Sequence, residues 1–315
     1  MKRYVMCILI MLSTCYLPGC SGNDYRPMEA ADETPGNPGE AVSKEGGQAE
    51  TAVSKEGGQA ETEVSKESAY TAEEMDYGLY FRDVDGCAVI FDTRSSQYSF
   101  YNEEMCKELA SPCSTFKIIS TLMGLKNGVI SSKESTMHYN GTIYGVNEWN
   151  ENLTLEKAFQ VSCVWYFRQI IDEVGEAEVG KELAELNYGN CDISQWAGRG
   201  INSPKELNGF WLESSLKISP LEQVKVLHNI FEGSTSYSED QITLLKDIML
   251  VGKEGEEPIY GKTGTGIEGH AWFVGFTEKE GGNLYFAVYL NDQMADDISG
   301  SLAKEIAMQM ISGMD

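Results

Sequence analysis

Basic residues are scarce in this chain. Its 315 residues carry 24 Lys and Arg against 49 Asp and Glu, a formal net charge of −25. Phosphate binding needs clustered cations, so nucleic acid is excluded as a partner. Histidine is scarcer still, with three residues, and no Cys-x-x-Cys or Cys/His run at zinc spacing appears. That pattern predicts neither a structural nor a catalytic metal. Long apolar runs are also missing: Tyr4 to Leu17 is too short to cross a bilayer. What the chain does have is 42% hydrophobic and 10% aromatic residues, enough to build one sizeable core.

The first residues read as an export signal. Lys2 and Arg3 precede the apolar run, and Leu17-Pro-Gly-Cys20 follows it in the manner of a lipobox. Residues 1–19 are therefore expected to be a lipoprotein signal peptide and Cys20 to be lipidated, with ordinary secretory cleavage near Gly19 as the alternative. Either route puts the mature protein outside the cytoplasm, anchored to the cell membrane through its N-terminal lipid or else periplasmic or secreted. Residues 20–69 are polar and repetitive: Ala41 to Thr51 recurs as Ala52 to Thr62, and Val64-Ser-Lys-Glu67 begins a third copy. Such composition cannot bury enough apolar surface to offset its ordering entropy. It reads as a tether reaching about 40 Å as a random coil. Of the remaining cysteines (Cys87, Cys106, Cys113, Cys163 and Cys191), at least one is unpaired within the chain, because five is odd. Buried small thiols are the commoner role for scattered cysteines.

A folded domain over residues 70–315 follows from the periodicity. Cys87 to Asp92 and Gln97 to Tyr101 read as a hairpin, and a helix begins around Ser114. Leu153 to Val174 reads as one or two helices, and Leu221 to Phe231 and Ser238 to Val251 read as helices. Ile259 to Thr263, Ala271 to Phe276 and Leu284 to Leu290 read as strands, and Ser301 to Ile311 as a closing amphipathic helix. Strands at both ends with helices between predict one α/β domain, in α+β form, whose sheet is completed by N- and C-terminal segments.

The chemistry starts at Ser114-Thr-Phe-Lys117. At i and i+3 on a helix the two side chains share a face. A serine hydroxyl needs an adjacent base to act as a nucleophile, and a lysine serves once burial disfavours its charge. Alone, the pattern equally describes an N-cap serine followed by an exposed lysine. It is joined, in order, by Ser162-Cys-Val164, Tyr188-Gly-Asn190, Gly209-Phe-Trp-Leu-Glu213, Lys262-Thr-Gly264 and Trp272-Phe-Val-Gly-Phe276. Order and spacing together are more specific than any one piece. Tyr188-Gly-Asn190 reads as a structural turn. Gly264-Thr-Gly266 has a bland alternative as a hairpin bend, Glu213 as a salt-bridge partner and Trp211 as simple core. His138, His228 and His270 carry no motif and read as structural or exposed.

From about Tyr77 to Met314 the chain resembles a class D, oxacillinase-type serine β-lactamase, of the penicillin-binding and β-lactamase superfamily. Ser-x-Val, Tyr-Gly-Asn and Trp-Leu-Glu separate it from class A, whose Ser-Asp-Asn is absent here. The resemblance implies a β-lactamase/transpeptidase-like fold, a mainly antiparallel sheet packed with helices and a helical subdomain. It implies a β-lactam substrate, penicillins of the oxacillin type among them, opened by Ser114. Lys117 would be N-carboxylated, needing CO2 or bicarbonate but no other cofactor, and would serve as general base. Trp211 would donate its indole N–H to that carbamate, and Ser162 would relay a proton to the lactam nitrogen. Val164 would keep the lysine pocket apolar. Lys262, Thr263, Gly264 and Thr265 would border the substrate, with the Ser114 and Thr265 N–H groups as oxyanion hole. Many members carry a carboxylate-gripping Arg after the last strands, and none follows Arg199 here. Carboxylate recognition is therefore expected to fall to Ser162, Lys262, Thr263 and Thr265, or to another cation that substitutes for the Arg. The same motifs occur in β-lactam sensor domains, which acylate but scarcely deacylate and belong to longer membrane receptors, and in cell-wall transpeptidases. Those relatives tend to carry Asn where this chain has Val164.

Overall fold

The computed structural model describes residues 71–233, 235–254, 257–267, 269–295 and 297–314. The expected signal peptide, the lipidation site at Cys20 and the repeat-bearing tether lie outside the described residues. The strands are β1 (Thr71–Glu74), β2 (Gly86–Asp92), β3 (Gln97–Tyr101), β4 (Thr136–Met137), β5 (Leu153–Thr154), β6 (Leu250–Glu254), β7 (Glu257–Thr265), β8 (His270–Lys279) and β9 (Gly282–Asn291). The α-helices are α1 (Gly78–Phe81), α2 (Lys117–Lys126), α3 (Leu155–Gln160), α4 (Val164–Val174), α5 (Glu176–Leu186), α6 (Pro220–Phe231), α7 (Glu239–Met249) and α8 (Gly300–Ser312).

Seven strands form one sheet in the order β1-β3-β2-β9-β8-β7-β6. Every pairing is antiparallel except β1 with β3. The expected architecture is therefore present: N-terminal β2 pairs directly with C-terminal β9. The strand side-chain period of two explains the layering. Cys87, Val89 and Phe91 of β2, with Tyr285, Ala287 and Tyr289 of β9, face the large core shared with the helices between the two strand sets. Ala88 and Ile90, with Phe286 and Val288, face a second core closed by α8 through Ala303, Ile306 and Met310. The central strands are thus apolar on both faces.

Local chemistry sets the helix ends. Ser219 caps α6, with Glu222 reaching back and Pro220 at the first helical position; Ser238 and Gln241 make the same box on α7. Leu153 to Val174, expected as one or two helices, is two, α3 and α4. They are separated at Ser162, which sits at φ +55° while the Cys163 N–H donates to the Ala158 carbonyl at 2.8 Å. The β7 strand runs two residues beyond the expected Thr263, so Gly264 and Thr265 are strand and not bend. Helix α5 and strand β6 went unread in the sequence, β6 because it begins where α7 ends without a turn residue between them.

Tyr188-Gly-Asn190 is the structural brace expected of it. The Tyr188 ring meets Phe116 edge-on at 5.7 Å. Asn190 Oδ1 accepts from the Lys217 N–H at 2.9 Å, and its Nδ2 donates to the Ser215 carbonyl at 2.9 Å. Gly189 has φ +53°, and a Cβ there would collide with the Lys217 carbonyl oxygen. Backbone on both sides cannot yield, so Gly189→Ala should lose roughly 2–4 kcal/mol of stability, read as a lower urea midpoint with an unchanged slope.

Candidate active site

The segment that carries Ser114 is clamped before it turns. Ser111 Oγ donates to the Trp211 carbonyl at 3.1 Å and accepts the Glu213 N–H at 2.9 Å. The Cys113 N–H donates to the same Trp211 carbonyl at 3.1 Å. Trp272 Nε1, on β8, donates to the Ser111 carbonyl at 2.9 Å. Residues Cys113–Phe116 then form a 3-10 turn that runs into α2. Ser114 therefore precedes the α-helix that it was expected to begin. In a 3-10 turn side chains at i and i+3 nearly eclipse, and Lys117 Nζ donates to Ser114 Oγ at 2.8 Å.

Lys117 is fully buried, and Ser114 Oγ is the one acceptor of its ammonium among the described residues. Its Nζ lies 5.6 Å from the centre of the Phe167 ring. Burial drives its pKa down to about 8, so a minority of roughly one fifth is neutral near physiological pH, far more than for an exposed lysine. A second Ser–Lys pair stands opposite. Lys262 Nζ donates to Ser162 Oγ and to the Thr263 carbonyl, each at 3.0 Å, and lies 5.6 Å over the Phe159 ring. Burial, followed by the neighbouring Lys117 charge, holds Lys262 well below the usual lysine range. Trp211 stacks on Phe116 at 5.5 Å and is buried, yet its Nε1 has no hydrogen-bond partner, Lys117 included, among the described residues.

The two serines open onto a cleft of about 330 Å3, within the size range of small-molecule sites. Val164, Thr263 and Thr265 share its wall with Trp149, Leu207, Leu212 and Ile267. The lysines stand behind the serines, away from the cleft. Strand β6 pairs with β7 only as far as Tyr260, so the edge of β7 from Gly261 to Thr265 has no strand partner on that side among the described residues. Gly264 lets β7 approach the nucleophile's turn, where a Cβ would lie 3.2 Å from the Pro112 carbonyl oxygen. The Thr265 hydroxyl accepts the Gly300 N–H at 2.9 Å, so the first turn of α8, with its positive dipole end, abuts this strand. Arg199 comes near through a 3.4 Å bond from Nη1 to the Glu213 carbonyl.

One cluster was not visible in the spacing. Cys113, Glu213 and His270 come from the nucleophile's turn, the Trp-Leu-Glu segment and the start of β8, and their donor atoms lie within 4.8 Å of one another. His270 is therefore a buried partner at the site, whereas its lack of a motif had suggested a bystander. Glu213 is the expected ion-pair partner: its Oε1 lies 2.9 Å from His270 Nε2. Burial raises the Glu213 carboxyl, but the hydrogen bond and charge of His270 outweigh it and hold the group low. The other expectation for His228 holds, since it packs edge-on between Phe91 and Tyr285. Cys87, Cys106, Cys113, Cys163 and Cys191 are all free thiols. Burial pushes Cys163 up to about 12, which leaves it inert beside Ser162.

Two Ser–Lys pairs on either side of an apolar cleft suit acyl transfer, with one serine attacking and the other moving a proton. A model of the penicillin binding protein transpeptidase domain matches residues 51–312. The chain belongs to this family. Among its relatives, regulatory protein BlaR1 of Bacillus licheniformis is 32% identical over 245 residues, 76% of this chain. The chain spans only 39% of the length of that relative. The probable beta-lactamase YbxI of Bacillus subtilis is 31% identical over 233 residues, 73% of this chain and 81% of its own length. A solved class D beta-lactamase from Bacillus subtilis superposes with a TM-score of 0.68 at 30% identity, covering 76% of this chain and 95% of that one. Fold and family thus agree with the class D resemblance, while sensor and enzyme relatives stand equally near.

The buried lysine makes a pH prediction. An unfolded lysine keeps its proton up to about 10.5, whereas folded Lys117 releases it at about 8. Between those values the unfolded chain binds more protons, so stability rises with pH. In bicarbonate-free buffer, moving from pH 8 to 10.5 should stabilise the wild type relative to Lys117→Met by about 1–3 kcal/mol, measured by urea unfolding.

Proposed function

We propose that this protein hydrolyses β-lactams through an acyl-enzyme on Ser114. Its family fold and the apolar cleft agree with β-lactam binding. The observation that carries hydrolysis is the buried Lys117, whose proton is held loosely; beside it in support stands the motif residue Trp211, a buried indole N–H with no acceptor among the described residues. Such an orphaned donor costs about 1–3 kcal/mol and calls for a partner. Where Lys117 carries a carboxylate derived from CO2, that group supplies an oxygen base, and Trp211 Nε1 and the Ser114 hydroxyl are the donors available to hold it. Val164, on the cleft wall where the sensor and transpeptidase relatives tend to carry Asn, adds no polar group to that pocket.

In this reading Ser114 Oγ attacks the lactam carbonyl as its proton leaves toward the Lys117 side chain, 2.8 Å away. The C–N bond of the ring breaks. Ser162 Oγ then protonates the departing nitrogen and is replenished by Lys262 Nζ at 3.0 Å. Backbone N–H groups of Ser114 and Thr265 face the developing oxyanion. The substrate carboxylate is taken by Thr263 and Thr265, with the α8 N-terminus behind them and no arginine from the last strands. The protein acts outside the cytoplasm, tethered through a lipid on Cys20. Cys20→Ser should accordingly shift the expressed protein from the detergent phase to the aqueous phase of a Triton X-114 partition.

A second reading is a sensor that acylates once, favoured by the 32% identity to regulatory protein BlaR1. Steady-state turnover of benzylpenicillin or a chromogenic cephalosporin separates the two. Multiple turnovers are expected, and a stoichiometric acyl-enzyme that persists in mass spectra would overturn hydrolysis. Lys117→Ala should lower acylation and deacylation each by about 10²–10⁴-fold, the usual range for loss of a general base. Trp211→Phe should make turnover dependent on added bicarbonate; indifference to bicarbonate in both proteins would refute carboxylation of Lys117.

A further inference from the structure

The mechanism uses neither the Cys113 thiol nor the Glu213–His270 pair, yet these three lie together beside the nucleophile. Cys113 Sγ is 3.3 Å from Glu213 Oε1 and 3.8 Å from His270 Nε2, and the latter two atoms are 2.9 Å apart. Tetrahedral zinc with ordinary bond lengths separates sulfur from nitrogen or oxygen by about 3.6 Å, and nitrogen from oxygen by about 3.4 Å. The observed triangle departs from that by a few tenths of an ångström, within reach of small χ rotations. All three residues are buried: Cys113 is 1% exposed, and Glu213 and His270 are 8% each.

Three features distinguish this cluster from a casual grouping of polar side chains. Its donor set of one sulfur, one imidazole nitrogen and one carboxylate oxygen suits a borderline cation and not magnesium or calcium, which take oxygen cages. Its charges balance. A divalent cation meets one thiolate, one carboxylate and one neutral imidazole, so the complete site is neutral and can remain buried. Its walls are shaped to leave room: a Cβ on Gly266 would collide with both His270 Nε2 and Glu213 Oε1. Cys113 and Glu213 also line the catalytic cleft. An exogenous ligand can thus complete the fourth corner from that side, as in open zinc sites.

We propose that Cys113, Glu213 and His270 form a binding site for a zinc-class divalent cation in the wall of the catalytic cleft, one residue from the nucleophile. Cys113 binds through Sγ after releasing its S–H proton to solvent, Glu213 binds through Oε1, and His270 binds through Nε2 once the proton between Nε2 and Glu213 Oε1 has also left to solvent, its other proton staying on Nδ1. The cation cross-links the nucleophile's turn to β8 and to the Trp-Leu-Glu segment, so it adds to the clamp that already fixes Ser114. Its seat next to Ser114 makes it an effector of the acyl-transfer site and not a participant in the bond changes.

Cobalt(II) titration of the metal-free full-length chain is the direct test, because a cobalt–thiolate bond gives a near-ultraviolet charge-transfer band. One equivalent should develop the band, zinc should displace it, and magnesium should not. Cys113→Ser should abolish the band, while His270→Gln should weaken cobalt affinity by about 10-fold or more. Zinc, but not magnesium, should also raise the thermal midpoint of the wild type, as any ligand selective for the folded state does. No band, or a band retained at full strength in Cys113→Ser, would overturn the site, since the chain has other thiols. Circular dichroism of each metal-free variant checks folding. Should Cys113→Ser fail to fold, Glu213→Gln and His270→Gln decide: cobalt affinity unchanged in both overturns the proposal. None of these readouts depends on β-lactam turnover, so failure of the hydrolytic reading and failure of the metal site are told apart.

Discussion

A lysine side chain held out of water governs this site. Lys117 has one acceptor, Ser114 Oγ, and is otherwise enclosed, with the Phe167 ring to one side. A charged ammonium in such a place loses its hydration without adequate replacement, so the proton is given up more readily. That instability is the chemical resource. The same lysine on a surface would be charged and useless as a base. The helices packed around Lys117 thus help set the chemistry of its nitrogen, although most of their residues do not line the cleft.

The burial has a structural counterpart in the clamp around Ser111. One serine hydroxyl and one Trp211 carbonyl tie the segment before Ser114 to the Trp-Leu-Glu segment, and the Trp272 indole ties it to β8. These bonds lie in the interior, where an unmade partner is expensive, so the segment has few alternatives. Ser114 is thereby placed by the sheet, while Lys117 is placed by the helix that starts after it. The Ser114–Lys117 contact is where the two layers meet. The second pair, Ser162 and Lys262, repeats the logic with the partners exchanged: the lysine comes from β7 and the serine from the break between α3 and α4.

This arrangement is common ground for penicillin-binding proteins, sensors and β-lactamases. Under the proposed function, turnover by water depends on the state of the Lys117 nitrogen. Overall similarity carries no information about it, which is why relatives of both kinds stand near 30% identity over the same span.

The sequence by itself determined the outline. Alternating and helical periodicities placed the β2–β3 hairpin, the capped helices α6 and α7, and the three C-terminal strands, because burial on a sheet face or helix stripe imposes its period on the residues. It also supplied the ordered motifs, whose spacing encodes which side chains share a turn or a strand end. Tertiary structure alone decided the rest. The 3-10 geometry before α2 and the break at Ser162 depend on what packs around them, not on local propensity. The depressed lysine pKa values require knowing what encloses each side chain. Cys113, Glu213 and His270 are about 100 and about 57 residues apart along the chain, so no spacing rule could join them; they meet because the clamp at Ser111 and the start of β8 bring three distant segments to one point.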